Sequence, residues 1–264
     1  VIDAIGVFDS GVGGLTVVTA LRRRMPRESI LYLGDTARLP YGSKSPDTVT
    51  RYTRRNIEFL TERGVKAVVV ACNTASALAL PDLEPGFLNV PTWGVIGPGA
   101  RKAAEVSRGK VGIIATEATV RSDAYARELR RLRPDLEILS QACPLLVPLV
   151  EEGWHDDPVT EEVAQRYLAP LLEAGIDTLV LGCTHYPLLK TVLQRVVGPD
   201  VVLVDSAEAV AEVVAEGLAE RGLEAGDQPP MSHLCVTDAG EGFRRLASRI
   251  LGEADLPLEW VEVT

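Results

Sequence analysis

The sequence predicts an α/β protein built from two pseudo-symmetric three-layer α/β domains, with mainly parallel sheets and a functional cleft between them. Three observations predict it. Short runs rich in Val, Ile and Leu alternate with helical patterns along the chain, and that alternation builds a parallel sheet covered by helices. Two of the runs end on one plan: Ala67 to Val70 leads into Ala71-Cys72-Asn73-Thr74, and Thr178 to Leu181 leads into Gly182-Cys183-Thr184-His185. Finally, 63 positions separate Asp9 from Cys72 and 67 separate Thr116 from Cys183. Near-equal spacing between like strand ends is what a duplicated unit leaves.

Taken in order, residues 5–8 form a first strand, followed by Asp9-Ser10-Gly11-Val12-Gly13-Gly14 and a helix to about Arg24. Glycines here suggest backbone close to a ligand at a helix N-terminus; a plain cap and turn by Asp9 and Ser10 is the rival reading. The loop lacks GxGxxG spacing and a Gly-Lys-Ser/Thr, so it is no nucleotide loop. Residues 30–34 are a second strand. The connection from Asp35 to Pro46, with Pro40, Tyr41 and Gly42, is long for a βα loop, and such loops tend to be functional. A helix follows from Pro46 to Arg63, stopped by Gly64. After the Cys72 strand, Asn73 or Thr74 caps a short helix. Residues 90–95 are a further strand, and Ile96-Gly97-Pro98-Gly99 turns into a helix.

The second half opens with strand 110–115 and a polar loop through Thr116 and Thr119. A helix over 120–132, a strand over 137–141 and a helix over 158–173 closed by Gly175 come next. Beyond the Cys183 strand, a helix runs from about Tyr186 to Val196. The tail reads as strand 201–205, helix 207–221, surface loop Gly226–Pro230, strand 233–236, helix 240–251 and a last strand 258–262. Because the repeat ends near 205, the tail is expected to complete the first domain, giving 1–95 plus 207–264 as one domain and 96–206 as the other.

A net charge of −10 and a pI of about 4.9 argue against nucleic acid or an anionic membrane surface as partner. No apolar run reaches the length of a membrane span, and the first residues carry no basic n-region of a secretory signal. Cys72, Cys143, Cys183 and Cys235 form no CxxC pair, which suits a reducing, cytoplasmic location.

Three chemistries could use the paired thiols. A structural metal wants four ligands at short paired spacings, and Cys183 with His185 offers only two. Acyl transfer needs one cysteine and one base, so two symmetric thiols fit it poorly. Two-base proton transfer at a carbon fits the duplication: one group takes a proton from one face, and a like group returns one to the other. A helix start beside each cysteine would bring its pKa down toward a useful range. Single buried cysteines are commonly small core residues; a matched pair at equivalent strand ends argues for chemistry.

At these residues the chain resembles the cofactor-independent glutamate racemases of the aspartate/glutamate racemase superfamily. The matching segments are Phe8-Asp9-Ser10-Gly11-Val12-Gly13-Gly14-Leu15, Pro40-Tyr41-Gly42, Ala71-Cys72-Asn73-Thr74-Ala75 and Leu181-Gly182-Cys183-Thr184-His185-Tyr186-Pro187. Aspartate racemases usually carry Glu where this chain has His185, so the resemblance favours glutamate. It implies Cys72 and Cys183 as the catalytic pair, Cys72 acting on D-glutamate and Cys183 on L-glutamate, with Asp9 and His185 assisting. It implies substrate contacts at Ser10, Pro40, Tyr41, Gly42, Asn73, Thr74, Thr116, Thr119 and Thr184, whose hydroxyls, amide and N–H groups suit carboxylates. A carboxyl at Glu151 or Glu152 also has a counterpart. The resemblance implies no cofactor and no metal; a pyridoxal enzyme needs a Schiff-base lysine, and no lysine stands in a strand-end motif here. It implies glutamate as small-molecule partner, D-glutamate supply for peptidoglycan, and allows a homodimer. The rival readings are an aspartate or hydantoin racemase of the same fold and a non-catalytic amino-acid-binding protein.

Overall fold

The computed structural model describes residues 3–83, 87–226, 229–238, 240–253 and 257–263. Val1 and Ile2 of the N-terminal reading, and Asp227 and Gln228 of the expected surface loop, lie outside the described residues.

Two sheets form. The first half supplies β1 (Ile5–Asp9), β2 (Ile30–Gly34), β3 (Ala67–Val70) and β4 (Thr92–Gly94). The second supplies β5 (Lys110–Ala115), β6 (Glu137–Ala142), β7 (Thr178–Gly182) and β8 (Val202–Asp205). The tail returns β9 (Ser232–Val236) and β10 (Leu258–Trp260) to the first sheet. The strand orders are β10-β9-β2-β1-β3-β4 and β6-β5-β7-β8, with parallel pairing throughout the described ladders. Both sheets thus share one core order, in which β2-β1-β3-β4 corresponds to β6-β5-β7-β8. Strands β1, β2, β3 and β7 are buried along their whole length, as continuous apolar runs covered on both faces must be.

The helices are α1 (Leu15–Arg24), α2 (Pro46–Glu62), α3 (Asn73–Leu78), α4 (Ile96–Val106), α5 (Glu117–Arg121), α6 (Ala124–Leu132), α7 (Leu146–Glu151), α8 (Pro158–Glu173), α9 (Lys190–Val197), α10 (Ser206–Ala219) and α11 (Glu241–Leu251). Their ends follow local chemistry. Ser45 accepts from the Thr48 N–H ahead of Pro46 at the start of α2, and Gly64 at φ 76° ends that helix. Asp157 and Asp205 cap α8 and α10 in the same way. Helix α10 packs on both α1 and α4, and the largest apolar cluster joins Leu15 and Val17 to Leu181 and Cys183. The two sheets therefore share a continuous core.

Some expectations are corrected. The single helix over 120–132 is two, broken where Asp123 takes a left-handed φ of 57°. Beyond Cys183 the chain first makes a 3-10 turn, Tyr186–Leu189, with the Leu188 N–H bonded to the His185 carbonyl, and α9 starts only at Lys190. Helix α7 escapes the sequence pattern, being six residues long with Pro148 inside. Neither Asn73 nor Thr74 caps α3: Cys72 does, its Sγ accepting from the Ala75 N–H at 3.5 Å.

Candidate active site

Parallel strands deliver loops to the sheet edge at their carboxyl ends, and here two sheets deliver theirs to one place. Cys72 follows β3 and Cys183 follows β7; both line a single cavity together with Ser10, Asn73, Thr74, Thr116, Thr184 and His185. Both cysteines are buried and free.

Around Cys72 the groups are neutral or anionic. Its Sγ lies 3.7 Å from Ser10 Oγ as well as receiving the Ala75 N–H. Burial pushes the thiol up to about 12, and the Asp9 carboxylate adds to the rise against the Ala75 and Ser10 hydrogen bonds. The net lowering expected from the helix start beside Cys72 is not found. One N–H from a six-residue helix does not outweigh complete burial beside a carboxylate.

Around Cys183 the charge is reversed. Its Sγ lies 3.8 Å from His185 Nδ1, and the other ring nitrogen lies 3.3 Å from Glu151 Oε1. Burial opposes charge on the ring. The Cys183 sulfur, Glu151 and Asp9 together overcome it and hold His185 up at about 10. A cationic ring complements the negative sulfur that exists once Cys183 has lost its proton. The Tyr186 hydroxyl donates to the Cys143 carbonyl at 2.8 Å and pins the turn below.

Asp9 ties the two sides together. Its Oδ2 accepts from the Gly11 and Gly14 N–H groups at 3.0 and 3.1 Å, and Thr184 Oγ1 donates to Oδ1 at 3.3 Å. The glycine loop, read as a ready anion site, has therefore turned these N–H groups onto its own acid. Burial raises the Asp9 pKa, opposed by His185 and by those hydrogen bonds. Two glycines make the close approach feasible. A Cβ on Gly13 would stand 2.4 Å from Thr184 Oγ1 and 2.7 Å from His185 Nδ1, and one on Gly14 would stand 2.3 Å from Asp9 Cβ.

The remaining expected residues divide. Thr74, Thr116 and Thr119 form a hydroxyl triangle across the two units, with sides of 3.0, 3.2 and 3.0 Å. Gly42 abuts Thr116, where a Cβ would come to 2.7 Å. Pro40, Tyr41 and Gly42 line the cavity, but the Tyr41 hydroxyl is directed to Asp35 and Asn56. Asp9, Thr119 and Glu152 do not line the cavity, whereas Glu151 does. Sequence reasoning missed Leu39 and Val147, which supply apolar wall; an apolar residue in a loop or in a six-residue helix gives no signal of that. It also missed Tyr125, whose hydroxyl donates to Asn73 Oδ1 at 2.6 Å.

Among the described residues, the group with metal-like spacing is His233, Cys235 and Glu259, and neither site cysteine belongs to it. Arg63 donates to both oxygens of Glu259, at 2.9 and 3.0 Å, and holds that carboxyl down at about 2. The trio is a hydrogen-bonded cluster around the Arg63–Glu259 ion pair on the outer strands. No helix among the described residues is long and apolar enough to cross a membrane.

Two parallel α/β units with matched strand-end thiols lining one cavity define the class as a two-sheet α/β protein whose site lies where the sheets meet. The family model for Asp/Glu/hydantoin racemases matches residues 15–214. The chain belongs to that family. It is 54% identical over 253 residues to the glutamate racemase of Geobacter metallireducens, covering 94% of this chain and 93% of that one. The crystal structure of a glutamate racemase isoform from Bacillus anthracis superposes with a TM-score of 0.94 at 40% identity, over 98% of this chain and 97% of that chain. The glutamate racemase of Francisella tularensis, solved in complex with D-glutamate, superposes at 0.93 with 36% identity over 99% of each.

Proposed function

We propose that this chain is a cofactor-independent glutamate racemase, interconverting L- and D-glutamate by proton transfer at Cα between Cys72 and Cys183 and supplying D-glutamate for peptidoglycan. The observation that carries the reading is the convergence of both thiols, from equivalent strand ends of separate sheets, on one cavity. Its kinship with glutamate racemases over nearly the whole chain supports glutamate as the substrate. We take residues 1–95 with 207–264 as one domain and 96–206 as the other, which puts one cysteine on each.

In the L to D direction the Cys183 thiolate takes the Cα proton. A new S–H bond forms and the C–H electron pair passes into the α-carboxylate. The Cys72 thiol then gives its proton to the opposite face and becomes the thiolate. The D to L direction exchanges the roles. With Cys72 held up at about 12 and His185 at about 10, near pH 7 Cys72 is protonated and a cationic ring stands beside Cys183. The ring stabilises the Cys183 sulfur whenever it is negative, and the Cys72 thiol is the acid for the opposite face. Hydroxyls of Ser10, Thr74, Thr116 and Thr184 and the Asn73 amide are the donors for the two carboxylates. In a water-poor cavity such preset donors favour the carbanion far more than they would in bulk water.

The test is incubation of the purified chain with each enantiomer of glutamate, of aspartate and a hydantoin in deuterated water, followed by circular dichroism and mass spectrometry. Loss of optical activity with label entering Cα of glutamate from either side is expected. Binding of glutamate without label uptake would leave a binding protein instead.

A further inference from the structure

Tyr125 lies on α6, outside the cavity lining, yet it touches residues next to both thiols. Its hydroxyl donates to Asn73 Oδ1 at 2.6 Å, from the second unit to the first. Ser206, at the start of α10, and the Tyr125 hydroxyl flank the same glycine, Gly99, where a Cβ would stand 3.2 Å from Ser206 Cβ and 3.3 Å from the Tyr125 oxygen. The phenol has one hydrogen to give, and Asn73 Oδ1 receives it. This decides how the amide stands, since the oxygen must face Tyr125 and the NH₂ must face elsewhere. Asn73 is only 2% exposed, lines the cavity, and its Nδ2 has no hydrogen-bond partner in the protein. A buried donor left without an acceptor is costly, and a substrate carboxylate oxygen supplies the missing acceptor.

The ring is fixed as firmly as the hydroxyl. A Cβ at Gly182 would stand 3.1 Å from Tyr125 Cε2, and one at Gly99 would stand 3.2 Å from Cε1. Two glycines thus make room for the ring. Gly182 immediately precedes Cys183, and Asn73 immediately follows Cys72.

We infer that Tyr125 is a positioning residue of the racemase site, turning the Asn73 amide so that Nδ2 donates to a carboxylate of the bound amino acid. The inference rests on the racemase reading above and deepens it. Tyr125 touches no substrate; it acts through Asn73.

Tyr125→Phe keeps the ring between the glycines and removes only the donor, so the experiment compares wild type, Tyr125→Phe, Asn73→Ala and the double variant. Steady-state racemisation of both glutamate enantiomers and the thermal midpoint are measured for each. A released amide weakens a contact made alike in ground and transition states, so KM should rise about tenfold with kcat within about twofold. The same substitution should have no further effect in the Asn73→Ala background, because the two residues act as one unit. Should Tyr125→Phe be recovered unfolded, Gly99→Ala, whose methyl would crowd the Tyr125 oxygen, reads the same link and should raise KM to a lesser extent. An unchanged KM, or a Tyr125→Phe effect that persists undiminished without Asn73, overturns the positioning role while the racemase reading stands. A wild-type chain that neither racemises glutamate nor exchanges its Cα proton overturns both.

Discussion

The ends of β3 and β7 are built alike and charged differently. Each strand is buried throughout, each is followed by a thiol, and each thiol sits at the same place in the same strand order. Cys72 nevertheless faces a buried carboxylate, and Cys183 faces a buried imidazole that also contacts Glu151. Duplication accounts for the position of the two sulfurs; the neighbours account for the opposite charge that each one faces. A reaction that reads the same in both directions is thus served by a site that does not.

The largest expected effect is loss of either sulfur. Cys72→Ala and Cys183→Ala should each lower racemisation by at least about 10³-fold, at the upper range of what a positioned acid or base contributes. Solvent label sharpens the comparison. Cys72→Ala should leave Cα exchange from L-glutamate alone, and Cys183→Ala exchange from D-glutamate alone. Near-normal turnover in either variant would remove that cysteine from the mechanism.

Next come the neighbours. His185→Asn should lower kcat by about 10²-fold, the low end of what a positioned acid or base contributes, and Asp9→Asn by about tenfold, below that range because Asp9 does not line the cavity. His185 is held at about 10 against an ordinary 6.5. The stability its charged form contributes is therefore complete below about pH 6.5 and lost as pH rises through about 10, and within the folded enzyme the ring loses its proton near pH 10. Activity should fall on an alkaline limb near pH 10, and the limb should be missing in His185→Asn. The Cys72 thiol, held at about 12, stays protonated across that limb.

Much of this was legible in the chain, for identifiable reasons. Apolar runs closed by turn residues located β1, β3, β5 and β7 within a residue or so, because a strand covered on both faces has no other composition open to it. The two cysteine motifs were legible because duplication repeated them. What escaped depended on three-dimensional neighbours. Nothing local says that Gly11 and Gly14 direct their N–H groups to Asp9, that Cys72 caps α3, or that Asp123 breaks a helix. Tyr125 lies 52 residues from Asn73, a link no spacing rule reaches. The choice between Glu151 and Glu152 turned on the phase of α7, a helix the sequence reading did not contain.

The two glycines test the sides separately and more gently. Gly13→Ala drives a methyl against Thr184 and His185, and Gly14→Ala drives one against Asp9. Each should cost about 1–3 kcal/mol of stability, as overpacking does, read as a lowered urea midpoint. Gly13→Ala should also weaken the alkaline limb, since it displaces the His185 side, and Gly14→Ala should not. Smallest are the carboxylates of α7 and its end. Glu151→Gln should lower kcat a few-fold, roughly the worth of one partly exposed ion pair, while Glu152→Gln should leave racemisation unchanged. Equal effects of the two would separate His185 from Glu151.

The cavity between the thiols has a volume of about 30 Å³, enough for a water molecule or two and far too little for a five-carbon diacid. Loading glutamate therefore requires the walls to part from the positions they hold here. Turnover should respond to solvent viscosity, with glycerol or sucrose slowing the enzyme even where the chemistry at Cα is untouched. So small a space also admits little water, which limits the stray protons that could reach a carbanion formed between the two sulfurs.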